Sequence, residues 1–314
     1  MQIIKAIKEK TFWEKTKIYM EKAWVKAHLK GEESLDKELQ ARTMVRMEKR
    51  FGKWLKSYSA EYVRTQKCND AQSEYKTDAN RVWMCWLQGE ENAPELVKAC
   101  INSVRRNLPE MELVIITAEN MEEYVQFPTH IKEKRKKGLI SNAHFSDVLR
   151  TELLCRYGGL WLDATVLCTG KGLPDYIRDN DLFVYQIVNL GRTKQSIISS
   201  SWLIYAKKEN PILMAVREML YQYWMEHNKE ENYFLWHILF AIACSAFETQ
   251  WNNVPVYTNQ APHVLQFEFD KQFDMTRWKQ IEAMSDFHKL NHHIDYSEDG
   301  TFYGYVLENY GENK

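Results

Sequence analysis

Long apolar runs are absent from this chain of 314 residues. No stretch reaches the roughly 18 uninterrupted apolar residues that a membrane-spanning helix requires. The first residues, MQIIKAIKEKTFWEK, carry too many charges for a signal peptide. Together these absences predict a cytoplasmic protein that is not held in a membrane by a spanning helix.

Paired cysteines and a phosphate-binding glycine loop are also missing. The cysteines show no C-x-x-C spacing, and a chain of this length can bury a core without disulfides. We therefore expect free, buried thiols and no zinc site. Gly170-Lys171-Gly172 lacks the P-loop spacing, so we assign it no phosphate. The six cysteines are Cys68, Cys85, Cys100, Cys155, Cys168 and Cys244.

Overall charge is nearly balanced, at -1, but it is unevenly distributed. Residues 1–67 contain 17 Lys and Arg against 9 Asp and Glu, giving +8, so the remainder carries -9. The pattern of this segment predicts two helical parts separated near Gly31 to Asp36. Either a basic helix face contacts anionic lipid, at about 1 kcal/mol per basic residue, or the helices form a packed hairpin with a solvated face. No motif for nucleic-acid binding accompanies the charge.

Strand and helix patterns alternate after a polar linker at Asp70 to Asn80. Arg81 to Gly89 reads as a buried strand, Ala93 to Leu108 as an amphipathic helix, and Glu112 to Thr117 as a second buried strand. This order implies a right-handed crossover between parallel strands. Asn232 to Phe247 is almost continuously apolar and predicts a buried helix. We therefore expect an α/β fold.

The central stretch, Ser146 to Thr169, predicts a helix that starts near Ser146, a glycine turn and a short strand that ends at Asp163. An acidic residue at the carboxyl end of a buried strand lies where open α/β sheets bind ligands. A carboxylate there suits Mg²⁺ or Mn²⁺. Asp147 and Arg150, one helical turn apart, would face the same cleft. Alternatively, Asp163 caps a turn and the other two form a solvated ion pair.

This stretch, SDVLRTELLCRYGGLWLDATV, resembles the pattern SDxLRxxxLxxxGGxWLDATV of the bacterial capsular polysaccharide synthesis glycosyltransferases. These are relatives of the sugar transferases with a DXD motif and of the clostridial glucosylating toxins. The resemblance extends over roughly Arg81 to Tyr296. It implies a GT-A type, Rossmann-like nucleotide-sugar-binding domain with a mainly parallel central sheet at residues 79–314, preceded by a basic helical N-terminal extension at residues 1–78.

The resemblance also implies roles for individual charged residues. Asp147 would contact the donor's ribose, and Arg150 its diphosphate or sugar. Asp163 would handle the metal-bound diphosphate, and with Arg150 it would be catalytic. Thr165 stands where the toxins have a second aspartate, so it would be a weaker ligand of the Mn²⁺ or Mg²⁺. His288 would be a further metal ligand, with the other histidines of the segment FHKLNHH as alternatives.

Further donor contacts follow from the same resemblance. Trp86 matches the tryptophan that stacks on uracil in the toxins, although a core role is an equal alternative, and Trp161 is assigned to the donor site. Lys289 would contact the diphosphate. Trp202 is an acceptor-side candidate, whereas His237 is interpreted as a hydrogen-bonded core histidine.

We therefore expect an enzyme that transfers a sugar, with the help of a metal, from a UDP-sugar to a growing capsular or other surface polysaccharide, free or lipid-linked. The relatives imply retention of anomeric configuration. The basic N-terminus would allow peripheral contact with the inner face of the cell membrane. Two alternatives remain: a sugar-phosphate transferase of capsule assembly, and a noncatalytic nucleotide-sugar-binding scaffold, which is suggested by Thr165.

Overall fold

The fold is described by a computed structural model that covers residues 16–21, 23, 32–69, 80–188 and 195–311. In chain order the strands are β1 (Arg81–Cys85), β2 (Glu112–Ile116), β3 (Gly159–Leu162), β4 (Val166–Cys168), β5 (Leu182–Gln186), β6 (Ser199–Ala206) and β7 (Phe287–Lys289). The helices are α1 (Glu32–Asn69), α2 (Glu95–Asn107), α3 (Met121–Tyr124), α4 (Thr129–Lys136), α5 (Asn142–Tyr157), α6 (Asp175–Arg178), α7 (Pro211–Glu226), α8 (Leu235–Ala246), α9 (Glu248–Asn252), α10 (Val264–Glu268), α11 (Met275–Glu282) and α12 (Phe302–Tyr310). Single 3₁₀ turns lie at Glu90–Asn92 and Ala261–His263.

Five strands form one sheet in the order β2-β1-β3-β6-β5. β1 pairs in parallel with β2 and β3, and β6 pairs antiparallel with β3 and β5. Four of these five strands therefore run in one direction, and β6 runs against them. The predicted α/β fold with a mainly parallel central sheet is confirmed.

Side chains that alternate along the strands fill an apolar layer on each side of this sheet. In β1, Trp83 points into the layer built with α5, α7 and α8, whereas Val82 and Met84 point into the layer that contains residues of α2. This is the period-two pattern of a strand that is covered on both faces.

The glycine turn between α5 and β3 brings the central strand close to β1. Gly158 and Gly159 both have positive φ, at 71° and 100°. A Cβ on Gly159 would lie 2.5 Å from the backbone oxygen of Arg81, so only glycine fits there. α5 itself begins at Asn142 with the Ser141 side chain as its cap, four residues before the predicted start.

The α1 helix packs on this domain through its apolar side. Met44, Met47, Phe51 and Leu55 are buried in the layer that contains α8. The predicted helix break near Gly31 is wrong in its extent, because α1 already begins at Glu32. The boundary between residues 78 and 79 stays a prediction, and most of the predicted linker, at residues 70–79, lies outside the described residues.

Two smaller sequence predictions can also be compared with the structure. Five cysteines are free as expected, of which all but Cys85 are buried; the side chain of Cys68 lies outside the described part. None of the helices that the structure describes has the length and apolarity needed to cross a membrane.

Candidate active site

A cavity of about 520 Å³ opens at the carboxyl ends of β1 and β3. Trp86 follows β1, Asp163 follows β3, and both line this cavity. Asp147 and Arg150 reach it from α5, and Lys289 reaches it from β7. Ligands of open α/β sheets bind in this position beyond the strand ends. The predicted donor and metal residues other than His288 therefore meet in one place, whereas the acceptor-side candidate Trp202 does not line the cavity.

Arg150 is the centre of the charged network in the cavity. It is 5% exposed, and its spacing of three residues from Asp147 places both on one face of α5. Arg150 Nη1 lies 3.4 Å from Asp147 Oδ1 and donates to the backbone oxygen of Ser201 at 2.8 Å. Arg150 Nη2 donates to Ser146 Oγ at 3.1 Å and to Asp163 Oδ1 at 3.2 Å. The guanidinium is thus held rigidly beside two carboxylates.

Lys289 contacts the other carboxylate oxygen of Asp163. Its Nζ lies 3.3 Å from Asp163 Oδ2 and donates to Thr165 Oγ1 at 2.6 Å. Trp161 Nε1 donates to Asp163 Oδ1 at 3.1 Å. Lys289 is placed by the antiparallel pairing of β7 with β4, in which it lies opposite Val166. Asp163 is therefore a carboxylate held between two cations.

The two aspartates of the cavity have opposite pKa shifts. Burial raises the pKa of Asp147 to about 7; the Asp163 charge acts in the same direction, and Arg150 opposes both. Burial also acts to raise the pKa of Asp163, but Arg150 and Lys289 outweigh it and hold this pKa below its ordinary value. Asp163 is therefore charged at neutral pH, whereas Asp147 titrates close to neutrality.

Aromatic rings line the cavity beside these charges. Trp86 is half-buried and meets the ring of His292 edge-on, with 5.5 Å between centroids. The Arg150 guanidinium lies 5.1 Å from the centre of the Trp161 ring, within cation–π range. The imidazole of His292 meets Trp86 by an edge contact rather than by stacking, and the Trp86 indole borders the cavity.

His288 is the predicted metal ligand that the structure does not bring to the cavity. It neighbours Lys289 on β7, and successive strand residues face opposite sides. His288 therefore lies on the same side as its partner Leu167, which belongs to an apolar cluster with Leu265. The imidazole is fully buried, and its Nε2 contacts Thr169 Oγ1 at 3.0 Å.

His237 was missed as a cavity residue by sequence reasoning. It lies on α8, is half-buried and lines the cavity together with Tyr233 and Gln266. Burial, with Arg150 acting in the same direction, lowers its pKa to about 3, so the imidazole is neutral. Its only sequence signal was a histidine inside an apolar helix. Trp202, the acceptor-side candidate, is buried and donates to Asn259 Oδ1 at 2.9 Å.

The donor atoms at the predicted metal position do not suit a divalent cation. Both oxygens of Asp163 and the hydroxyl of Thr165 already contact Arg150, Trp161 or Lys289. Mg²⁺ and Mn²⁺ prefer carboxylate and other oxygen ligands that are free to coordinate. Within the described ranges, no three His, Cys, Asp or Glu side chains are grouped as a metal site.

The fold and cavity define an α/β protein with a charged cleft at the carboxyl edge of its sheet. A family model described as "Capsular polysaccharide synthesis protein" matches residues 32–306, which include both α1 and every cavity residue named above. The chain belongs to this family, and the resemblance found from the central stretch is confirmed.

Similarity to individual proteins is more remote. The chain is 33% identical over 97 residues to the O-glycosyltransferase braB of Annulohypoxylon truncatum, covering 28% of this chain and 23% of that relative. The chain thus spans less than a quarter of the relative's length. The PaToxG glycosyltransferase structure aligns with 14% identity and a TM-score of 0.38, over 77% of this chain and 94% of that chain. The bacterial N-acetylglucosamine transferase NleB aligns with 10% identity and a TM-score of 0.26, over 64% and 90%.

Proposed function

We propose that this protein is a glycosyltransferase of GT-A type that moves a sugar from a nucleotide sugar, with UDP-sugars as the first candidates, to a capsular or other surface polysaccharide. The observation that carries the proposal is Asp163 held between Arg150 and Lys289 at the carboxyl edge of the sheet. Family membership supports the same conclusion. The cavity, at about 520 Å³, is within the usual size range of small-molecule sites.

The two cations suit the diphosphate of such a donor. A guanidinium presents planar paired N–H groups that match phosphate oxygens, and an ammonium acts as a compact point charge. Arg150 is fixed by its bonds to Ser201 and Ser146, so little reorganisation is needed when an anion arrives. Trp86, further along the cavity wall, offers an indole on which a flat base can stack.

In the proposed reaction, the bond between the anomeric carbon and the β-phosphate oxygen breaks, and its electron pair leaves with the nucleoside diphosphate. Arg150 and Lys289 stabilise the negative charge that develops there. The acceptor hydroxyl oxygen forms the new bond to the anomeric carbon, and its proton passes to the departing phosphate. Asp163 keeps both cations in position. This route needs no enzymatic nucleophile and retains the anomeric configuration.

The acceptor would enter from the side of the cavity opposite the diphosphate. Tyr233, His237 and Gln266 also line the cavity and are distinct from the residues that contact Asp163 directly. Tyr233 is largely exposed, so this part of the wall borders the solvent. A neutral imidazole, a phenol and an amide are suitable hydrogen-bonding groups for sugar hydroxyls.

Peripheral membrane contact belongs to the same proposal. Lys49, Lys53 and Lys56 are exposed on α1, at spacings that place them along one side of the helix. Anionic lipid would attract such a stripe. The acceptor of capsule assembly, free or lipid-linked, would be reached from this position on the inner face of the membrane.

Thermal unfolding with a panel of nucleotides and nucleotide sugars tests the proposal. A ligand at about 100 times its Kd should add roughly 2.7 kcal/mol to the free energy of unfolding. We expect a shift with one nucleoside diphosphate and its sugar conjugates, lost in Asp163→Ala and kept in Asp181→Ala, which changes an exposed acid. No shift with any nucleotide would refute the proposal. Phosphorus in the transferred product would instead indicate sugar-phosphate transfer.

A further inference from the structure

Lys289 occupies the space between Asp163 and Thr165, two of the three side chains that were predicted to hold a metal. Its ammonium donates to Thr165 Oγ1 at 2.6 Å and lies 3.3 Å from Asp163 Oδ2. A cation that bridged Asp163 and Thr165 would need this same volume. The position is therefore already filled by a positive charge of the protein.

This placement is fixed by the backbone. β7 pairs with β4, and the residue after Lys289, Leu290, donates its N–H to the backbone oxygen of Thr165 at 2.9 Å. Both ends of the contact between Lys289 and Thr165 are thus anchored to one small sheet. The ammonium does not need to swing in from a mobile chain to reach Asp163.

The two cationic side chains already beside Asp163 leave little attraction for a metal ion. A divalent ion is normally held by one or two carboxylates and by substrate phosphates. Here one ionised carboxylate faces both Arg150 and Lys289, and the second acidic position of the motif is a threonine. A metal at Asp163 would be repelled by an ammonium and a guanidinium within a few ångströms.

We propose that Lys289 takes the place of a divalent cation, so that this site binds the nucleoside diphosphate of its donor, and stabilises its departure, without metal. The inference depends on the proposed glycosyl transfer and refines it. Arg150 and Lys289 then supply the two positive charges that a metal would otherwise supply, and Asp163 orients them rather than coordinating an ion.

Titration calorimetry tests this with UDP, GDP, ADP and dTDP, in excess EDTA and, separately, with excess Mn²⁺. For whichever nucleotide binds wild type most tightly, we expect full binding in EDTA and no tightening of the Kd when Mn²⁺ is in excess. Binding that appears only with Mn²⁺ would overturn this inference and leave the proposed function intact. No binding of any nucleotide under either condition would overturn both.

A pair of variants sharpens the same experiment. Lys289→Met should weaken nucleotide binding at least about tenfold, because one of the two cations is lost. Lys271→Met, which removes an exposed lysine that does not line the cavity, should leave it unchanged. The double variant Thr165→Asp/Lys289→Met restores a second acid and removes the ammonium, so its binding should become Mn²⁺-dependent. Wild-type affinity in Lys289→Met with EDTA would contradict the assignment.

Discussion

The α5 helix carries two acid–base clusters that differ in how completely they are paired. Glu152, at 4% exposed, lies less than two turns from Asp147 but faces α7. Its Oε2 accepts from Tyr221 at 2.8 Å and lies 3.6 Å from Arg217, and its Oε1 lies 3.4 Å from Arg156. Both oxygens of this buried carboxylate therefore have partners within the protein.

The cavity, by contrast, contains buried polar atoms that have no hydrogen-bond partner among the described residues. In the described part of the protein, Arg150 Nε, Trp86 Nε1 and His237 Nδ1 are buried and have no hydrogen-bond partner. Buried polar atoms normally have a hydrogen-bond partner, so three unpaired nitrogen atoms around one cavity are unusual. The carboxylate of Glu152 is thus fully paired within the protein, whereas the cavity keeps buried polar atoms without partners in the ranges that the structure describes.

The largest difference between the two clusters should appear when the arginine of each is replaced by lysine. Arg150→Lys removes a fixed donor from the proposed leaving group, so we expect sugar transfer to fall by about 100- to 1,000-fold. The matched control is Arg217→Lys in the Glu152 cluster, which should change transfer by less than about threefold. Initial rates of donor consumption measure both. Equal losses in the two variants would show that the clusters do not differ.

The reverse experiment removes the acid of the paired cluster. Glu152→Ala should lower the free energy of unfolding by about 1–3 kcal/mol, because it leaves Tyr221 and Arg217 without their shared partner. Chemical denaturation measures the loss, and calorimetry should give an unchanged nucleotide Kd. A variant that keeps its stability but no longer binds nucleotide would place Glu152 in the functional cluster instead.

Variants of Trp86 distinguish the contribution of the base to nucleotide binding from that of the diphosphate. Replacing it with Ala should weaken nucleoside diphosphate binding by about 1–3 kcal/mol, the usual contribution of a base stacked on an aromatic ring. Trp86→Phe should recover most of that loss. Inorganic pyrophosphate, which has no base, should bind all three proteins equally. Loss of pyrophosphate binding in Trp86→Ala would mean that the residue supports the fold of the cavity rather than the base.

The smallest expected effect is a pH dependence that comes from Asp147. Since its pKa is raised from 3.8 to about 7, the folded protein holds this proton at pH values where an unfolded aspartate has lost it. This group therefore favours folding increasingly as pH falls from about 7 to about 4. Protonation also removes a negative charge beside Arg150, so nucleotide-sugar binding should tighten a few-fold between pH about 8 and about 6.

Calorimetry across this pH range measures the effect, with a nucleotide sugar as ligand because its diphosphate keeps its charge there. Asp147→Asn, which is neutral at every pH, should give a flat profile near the low-pH affinity of wild type. A profile that keeps its slope in Asp147→Asn would assign the titration to another group.

Sequence reasoning located Asp147, Arg150 and Asp163 because local rules place them. Helical spacing puts the first two on one face, and the short strand β3, which begins at the glycine turn, ends directly before the third. It could not place Lys289 against Thr165, since that contact depends on the pairing of two three-residue strands from distant parts of the chain. The register of this pair also decides that Lys289, rather than His288, faces the cavity. The position of His237 in the cavity could not be predicted for a similar reason, because the sequence of an apolar helix does not show which side borders a cavity.

A crystal structure with the best-binding nucleoside diphosphate would test the central claim most directly. We predict diphosphate oxygens within hydrogen-bond distance, about 3 Å, of the Arg150 guanidinium and of Lys289 Nζ, with the base against Trp86. A nucleotide bound away from Arg150 and Lys289, for example in the groove between α1 and α9 that is lined by Val63 and Phe247, would contradict it.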